Sequence, residues 1–158
     1  MAEILRQRLT AEIEGDFCVF IIGMRVNRLW KLHKWLPVAM AMGPMLKELF
    51  ANPQLGFLGA QTPFSWPPVL IQYWRSFDAL ESYAKSREHT HLPAWAAFNR
   101  RVGQSGEVGI WHETYLVRAG EYETIYNNMP PYGLAKASRA VPATGAREGA
   151  RGRIAGRA

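Results

Sequence analysis

Alternation and its absence mark out the strands first. Residues 16–27, DFCVFIIGMRVN, are apolar at both odd and even positions, with no charge between Asp16 and Arg25. Phe17, Val19 and Ile21 fall on one face, and Cys18, Phe20 and Ile22 on the other. A strand of this kind is central in its sheet and covered on both sides. The next segment, 30–52, changes period. Trp30, Trp35, Val38, Met42, Met45, Leu49 and their neighbours recur at helical spacing, while Pro37 and Pro44 interrupt them. Each proline removes a helical N–H, so two short helices or one broken helix are expected. Residues 55–64 and 69–76 read as a strand hairpin across the SWPP turn at 65–68. FDALESYAKSRE, 77–88, is an amphipathic helix. LPAWAAFNRRVGQ, 92–104, is a second helical piece, with Pro93 in its first turn and Gly103 at its end. EVGIWHETYLVR, 107–118, is the fourth strand, and 120–137 is a C-terminal extension.

The order β-α-β-β-α-β predicts an α+β, ferredoxin-like arrangement with helices on one face of a four-stranded sheet. A first strand that is apolar on both faces needs cover on the other side too. Sheet-to-sheet association of two copies supplies it, so a dimeric α/β barrel built as a homodimer is expected.

Composition refines this picture. The 158 residues suit a single domain over 1–136. The formal charge of +6 is uneven, because 137–158 hold five Arg and one Glu. That leaves the rest of the chain near neutral and gives no reason to expect a nucleic-acid partner. Residues 137–158, rich in Ala, Gly and Arg, read as a disordered tail, and deleting 138–158 is expected to leave folding intact. Cys18 is the one cysteine, expected buried on its strand. No apolar run is long enough to span a membrane, and the polar start lacks a leader pattern; a cytoplasmic location is expected.

The candidate chemistry lies in histidines and aromatics. REHTHLPAW, 87–95, places His89 and His91 where the chain must leave a helix near Leu92, ahead of Pro93. Either they are polar residues of a helix-to-helix turn, or one imidazole points into a pocket and ligates a metal or haem. His112 shares a strand face with Ile110 and Thr114. It is either a core histidine with a hydrogen bond or a general acid/base. Arg25 and Arg75 end two strands, as surface charges or as partners for an acidic group. Trp74, Trp95 and Trp111 either pack the core or wall a pocket for a hydrophobic small molecule. Phosphate-loop and dinucleotide-binding glycine patterns are absent, and no His/Asp/Glu cluster has metal-site spacing.

YWRSFDALESYAKS at 73–86, HTHLPAW at 89–95 and IWHETYLV at 110–117 resemble the antibiotic-biosynthesis-type monooxygenases of the dimeric α/β-barrel group, including those of fungal terpenoid pathways. GMRVNR at 23–28, FNR at 98–100 and YETIYNNMPPYGL at 122–134 fit the same group. That resemblance implies an oxidoreductase of secondary metabolism, working with haem or, as in related barrels, without a cofactor. The central stretch is also similar to haem-containing aldoxime dehydratases. In that group the second histidine of the His-Thr-His-like segment binds haem b iron, and a histidine on the following strand moves a proton. The resemblance gives these roles to His91 and His112, 21 residues apart. His89 becomes the non-ligand, and Arg25 and Arg75 are further candidates. The dehydratases fuse two ferredoxin-like halves, and this chain supplies one. A monooxygenase, a dehydratase-like lyase and a non-catalytic ligand-binding dimer are therefore the competing readings.

Overall fold

The computed structural model describes residues 3–155. Phe17–Val26 forms strand β2, with β1 (Leu5–Glu12) before it. The 20-residue helix α1 (Leu32–Ala51) follows, then β3 (Phe57–Gln61) and β4 (Val69–Trp74). Helices α2 (Phe77–Lys85) and α3 (His91–Arg101) lead to β5 (Val108–Val117). Strand β6 (Tyr126–Met129), helix α4 (Leu134–Ala137), strand β7 (Arg139–Pro142) and helix α5 (Ala150–Ala155) complete the chain.

Strand β2 is central, as its two apolar faces require. The main sheet has the order β3-β4-β2-β5, antiparallel throughout, with β2 hydrogen-bonded to β4 and β5. The register puts Cys18 beside Trp74 and Leu116, and Ile22 beside Leu70 and His112. Cys18, Phe20, Ile22 and Met24 therefore face the helices. Trp74, Leu49 and Cys18 are fully buried there, with Phe57, Leu80 and Tyr83 around them. Each such side chain contributes on the order of 2 kcal/mol by leaving water.

The ferredoxin-like α+β core is present, but the expected barrel is not. The main sheet ends on two edge strands, β3 and β5, that do not pair, and the remaining strands form a separate sheet, β6-β1-β7. This second sheet, with α4, supplies part of the cover that β2 needs. Ala11, Leu134 and Ala135 pack with Phe17, Val19 and Tyr73 on the face away from the long helices. Gly59 makes that possible: a Cβ there would sit 3.1 Å from the Ala137 methyl, so glycine lets α4 lie close to β3.

The C-terminal segment also departs from expectation. Arg139–Glu12 pairing begins a ladder in which β7 runs antiparallel to β1. Ala143 is buried, and Arg153, 5% exposed, is held by the Glu123 carboxylate and the carbonyls of Arg147 and Glu148. Paired arginines and main-chain bonds order a segment that has little apolar bulk. Helix α1 runs unbroken through Pro37 and Pro44. Burial of Met45 and Leu49 outweighs two missing N–H bonds. No helix among the described residues is long and apolar enough to cross a membrane.

Candidate functional site

The residues between α2 and α3 are organised by a carboxylate. Glu48, one turn from the end of α1, accepts the Thr90 hydroxyl at 2.6 Å and the Thr90 N–H at 3.1 Å. The Tyr83 hydroxyl donates to it at 3.0 Å, and His89 Nδ1 lies 3.1 Å from its other oxygen. Partial burial pushes the Glu48 pKa up, but bonds from Thr90, Tyr83 and His89 outweigh this and hold it down at about 2. Tyr83 is pushed the other way, to about 12, first by burial and further by the neighbouring carboxylate. The HTH segment is thus tied down on Glu48 before α3 begins. The break between helices falls at 86–90, earlier than Leu92, which lies in the first turn of α3.

His89 and His91 have different surroundings. His89 faces Glu48 and stacks near Tyr83, centroids 5.3 Å apart. His91 places Nδ1 3.0 Å from the Ala84 carbonyl. A carbonyl only accepts, so Nδ1 carries the proton and Nε2 keeps its lone pair. That is the tautomer an axial haem ligand requires, with the backbone carbonyl as its orienting partner. Among the described residues no cluster of three or more His, Cys, Asp or Glu could hold a bare metal ion. A single imidazole ligand is what this arrangement offers.

His112 lies on the same sheet face. Its ring packs against Phe20, centroids 5.4 Å apart. Phe20 and Ile22, although on the central strand, are only half-buried, and His112 is exposed. The helices therefore cover this part of β2 and β5 incompletely. Tyr83 lies against Trp74 at the covered end of the same face, ring centroids 5.7 Å apart and tilted. By register, His112 is four residues along β2 from the Trp74 row, about 13 Å.

The other predicted residues do not join them. Arg25 pairs with Gly109 and points to the opposite face from Met24 and the helices. Arg75 is exposed just past β4, where Trp74 pairs with Cys18, seven residues from Arg25 along β2. The two arginines are about 23 Å apart and cannot serve one site. Trp74 is fully buried, its indole N–H donating to Gln72 Oε1 at 2.9 Å, so it packs the core. Trp95 stacks on Phe98 along α3 and stays partly exposed. Trp111 lies on the outer face directly over Gly23, where a Cβ would come within 2.4 Å of the indole. Glu48 and Tyr83 were not singled out from the sequence. The available signal was that Glu48 is the only carboxylate between Asp16 and Asp78.

With this geometry in view, the chain can be compared with known proteins. Residues 17–134 match the family model described as monooxygenase af470-like. The chain belongs to that family. It is 29% identical to Monooxygenase af470 of Aspergillus fumigatus, over 83% of this chain and 54% of that protein. The chain thus spans about half the length of this curated relative. Among solved structures, an aldoxime dehydratase shares the fold with a TM-score of 0.64 at 18% identity, over 84% of this chain and 43% of that one. SnoaB, a cofactor-independent oxygenase from Streptomyces nogalater, has a TM-score of 0.46 at 15% identity, over 65% of this chain and 94% of its own.

Proposed function

We propose that this chain is a monooxygenase-type oxidoreductase that takes a small hydrophobic molecule between the helices and β5, with haem b held by His91. The observation that carries this reading is the His91 Nδ1–Ala84 carbonyl bond, which leaves Nε2 as a free donor. Haem iron would supply the one-electron and oxygen chemistry that protein side chains lack. The protein's own part is binding and proton handling. Glu48 fixes Thr90 and His89, and so sets the position from which His91 ligates. Phe20 and Ile22 form an apolar floor that favours a hydrophobic ligand over water. His112, packed against Phe20, stands over that floor as the group that moves a proton. Arg25, on the other face, has no part in it.

Titrating the full chain with haem and recording its absorption spectrum tests the proposal. A Soret band that His91→Ala abolishes and His112→Ala retains is expected. If neither protein nor variants take up haem, cofactor-free oxygenation is the reading that stands. Substrate-dependent oxygen consumption separates an oxygenase from a lyase, which would release water without consuming oxygen.

The same reading includes a homodimer. The outer sheet face around Ile21, Ile71 and Trp111 is not covered by the second sheet and stays partly exposed. Sedimentation velocity should show a dimer that Trp111→Lys converts to monomer; a monomeric wild type would remove the dimer from the reading.

A further inference from the structure

One end of the molecule gathers exposed aromatic tips and a cluster of positive charge. The β2–α1 loop carries Leu29 and Trp30, the latter 71% exposed. The β3–β4 loop carries Phe64, fully exposed, and Trp66, 64% exposed. The two loops leave the sheet side by side, because Gly23 pairs with Val69 and the Met24 N–H bonds the Pro68 carbonyl at 3.1 Å. Leu32 and Leu36, one turn apart, continue the apolar surface along the exposed side of α1.

The charge around these tips is one-sided. Arg25, Arg28, Lys31 and Lys34 follow one another with no acid among them. The α3–β5 loop is tied to the same end by Asn27 N–H to the Glu107 carbonyl, 3.0 Å, and by Lys34 Nζ to the Arg101 carbonyl, 2.6 Å. The last turn of α3 adds Arg100 and Arg101. Against these six cations stands Glu107, already engaged by Lys31 and Ser105. The result is a net of +5 at this end. Residues 57–74, which hold the Phe64–Trp66 loop, contain no charged residue at all. At the other end of β2, Glu12, Glu14, Asp16 and Asp78 stand with Arg139 and Arg147, both paired with Glu12, so no such excess builds up there.

We propose that this end docks on the surface of an anionic lipid bilayer, with Phe64, Trp66, Trp30 and Leu29 entering the headgroup region and the surrounding Arg and Lys meeting lipid phosphates. Aromatic tips with flanking cations are the composition that interfacial binding uses: apolar bodies seated at the headgroup level, charges held at the surface. Arg28 already lies over the Trp30 ring at 5.6 Å. Aliphatic Leu29, Leu32 and Leu36 favour lipid over a single-stranded nucleic acid, whose bases need aromatic or guanidinium platforms. Such docking would also bring a hydrophobic substrate within reach of the protein from the phase in which it dissolves.

The test uses the full chain and sedimenting vesicles. It should pellet with phosphatidylcholine vesicles containing phosphatidylserine, weakly with phosphatidylcholine alone, and less as salt rises. The double substitution Phe64→Ser/Trp66→Ser should lower partitioning about tenfold. Arg28→Ala and Arg100→Ala should each lower it about fivefold. All four side chains are exposed, and unchanged circular dichroism checks that the variants fold. No pelleting with either vesicle, or pelleting unaffected by Phe64→Ser/Trp66→Ser, overturns the proposal. So does a change in the sedimentation coefficient of the lipid-free double variant, which would make this end a contact between copies. Binding to an oligothymidylate without binding to vesicles overturns it in favour of nucleic acid.

Discussion

Glu48 shows how one residue can organise a site without touching a substrate. Its carboxylate takes the place of the water that Thr90, Tyr83 and His89 would otherwise need. Each charged hydrogen bond of this kind is worth more than a neutral one. Glu48→Ala should cost about 2 kcal/mol in urea unfolding at neutral pH, since it strands several donors. The pH dependence has a definite sign. The folded-state pKa of about 2 lies below the ordinary value of 4.5. The stability this contributes is therefore complete above about pH 4.5 and drains away as pH falls toward 2. Unfolding curves measured down that range should be flatter for Glu48→Gln than for wild type. Parallel curves would show that Glu48 is not the titrating group. If haem binds His91, Glu48→Gln should also weaken its uptake while leaving the protein folded at neutral pH.

At the level of elements, Gly23 and Trp111 show what pairing and packing demand together. Strand β2 carries glycine at the one position where the indole from β5 crosses it. Gly23→Ala should displace the Trp111 ring and cost about 1–2 kcal/mol, with a red shift in tryptophan emission. In the Trp111→Leu background the same substitution should cost less, and a double-mutant cycle reads the difference. Equal costs in both backgrounds would mean the two do not interact. The elements that could be read in advance were those with a strong period. Strands 16–27, 69–76 and 107–118, the hairpin and both short helices all follow from alternation, helical spacing and turn residues, and the structure has them. Strand β1 was missed because LRQRLTAE buries three consecutive residues, Leu9, Thr10 and Ala11, at its end, and shows no alternation. Strands β6 and β7 are four residues each, too short to show a period, and are held by their ladder to β1 and by arginine pairs. The pair His91 and His112 could be proposed from resemblance; register places His112 beside Ile22 on the helix-facing side of the sheet, and His91 begins α3. That Arg25 lies on the other face depends on the sheet register, and that Trp74 belongs to the core depends on packing between distant elements. The basic, aromatic end went unread because its cations are scattered over β2, the β2–α1 loop, α1 and α3, and the dense run of arginines at 137–158 drew the charge balance to itself.

For the whole molecule, the C-terminal segment decides whether the second sheet exists. Without residues 138–158, β1 loses its neighbour β7, and Glu12 loses both Arg139 and Arg147. Glu123 loses the buried Arg153. What remains of the sheet is β1 and β6, a two-stranded ribbon of the kind that is marginal in water. Its packing on Phe17, Val19 and Tyr73 depends on Ala11 and α4 holding their positions. The truncated chain should therefore melt well below the full chain, with a smaller urea m-value as the second sheet frays. It should also expose Phe17 and Tyr73 to solvent, which dye binding would register. The main sheet and its helices rest on a separate cluster around Trp74 and Leu49, so circular dichroism of the truncated chain should retain their signal at low temperature. Arg153→Ala is the finer probe. It leaves the Glu123 carboxylate without its partner, and a loss of about 2–3 kcal/mol is expected. A truncated chain as stable as the full one would show that β7 adds nothing to the fold it borders.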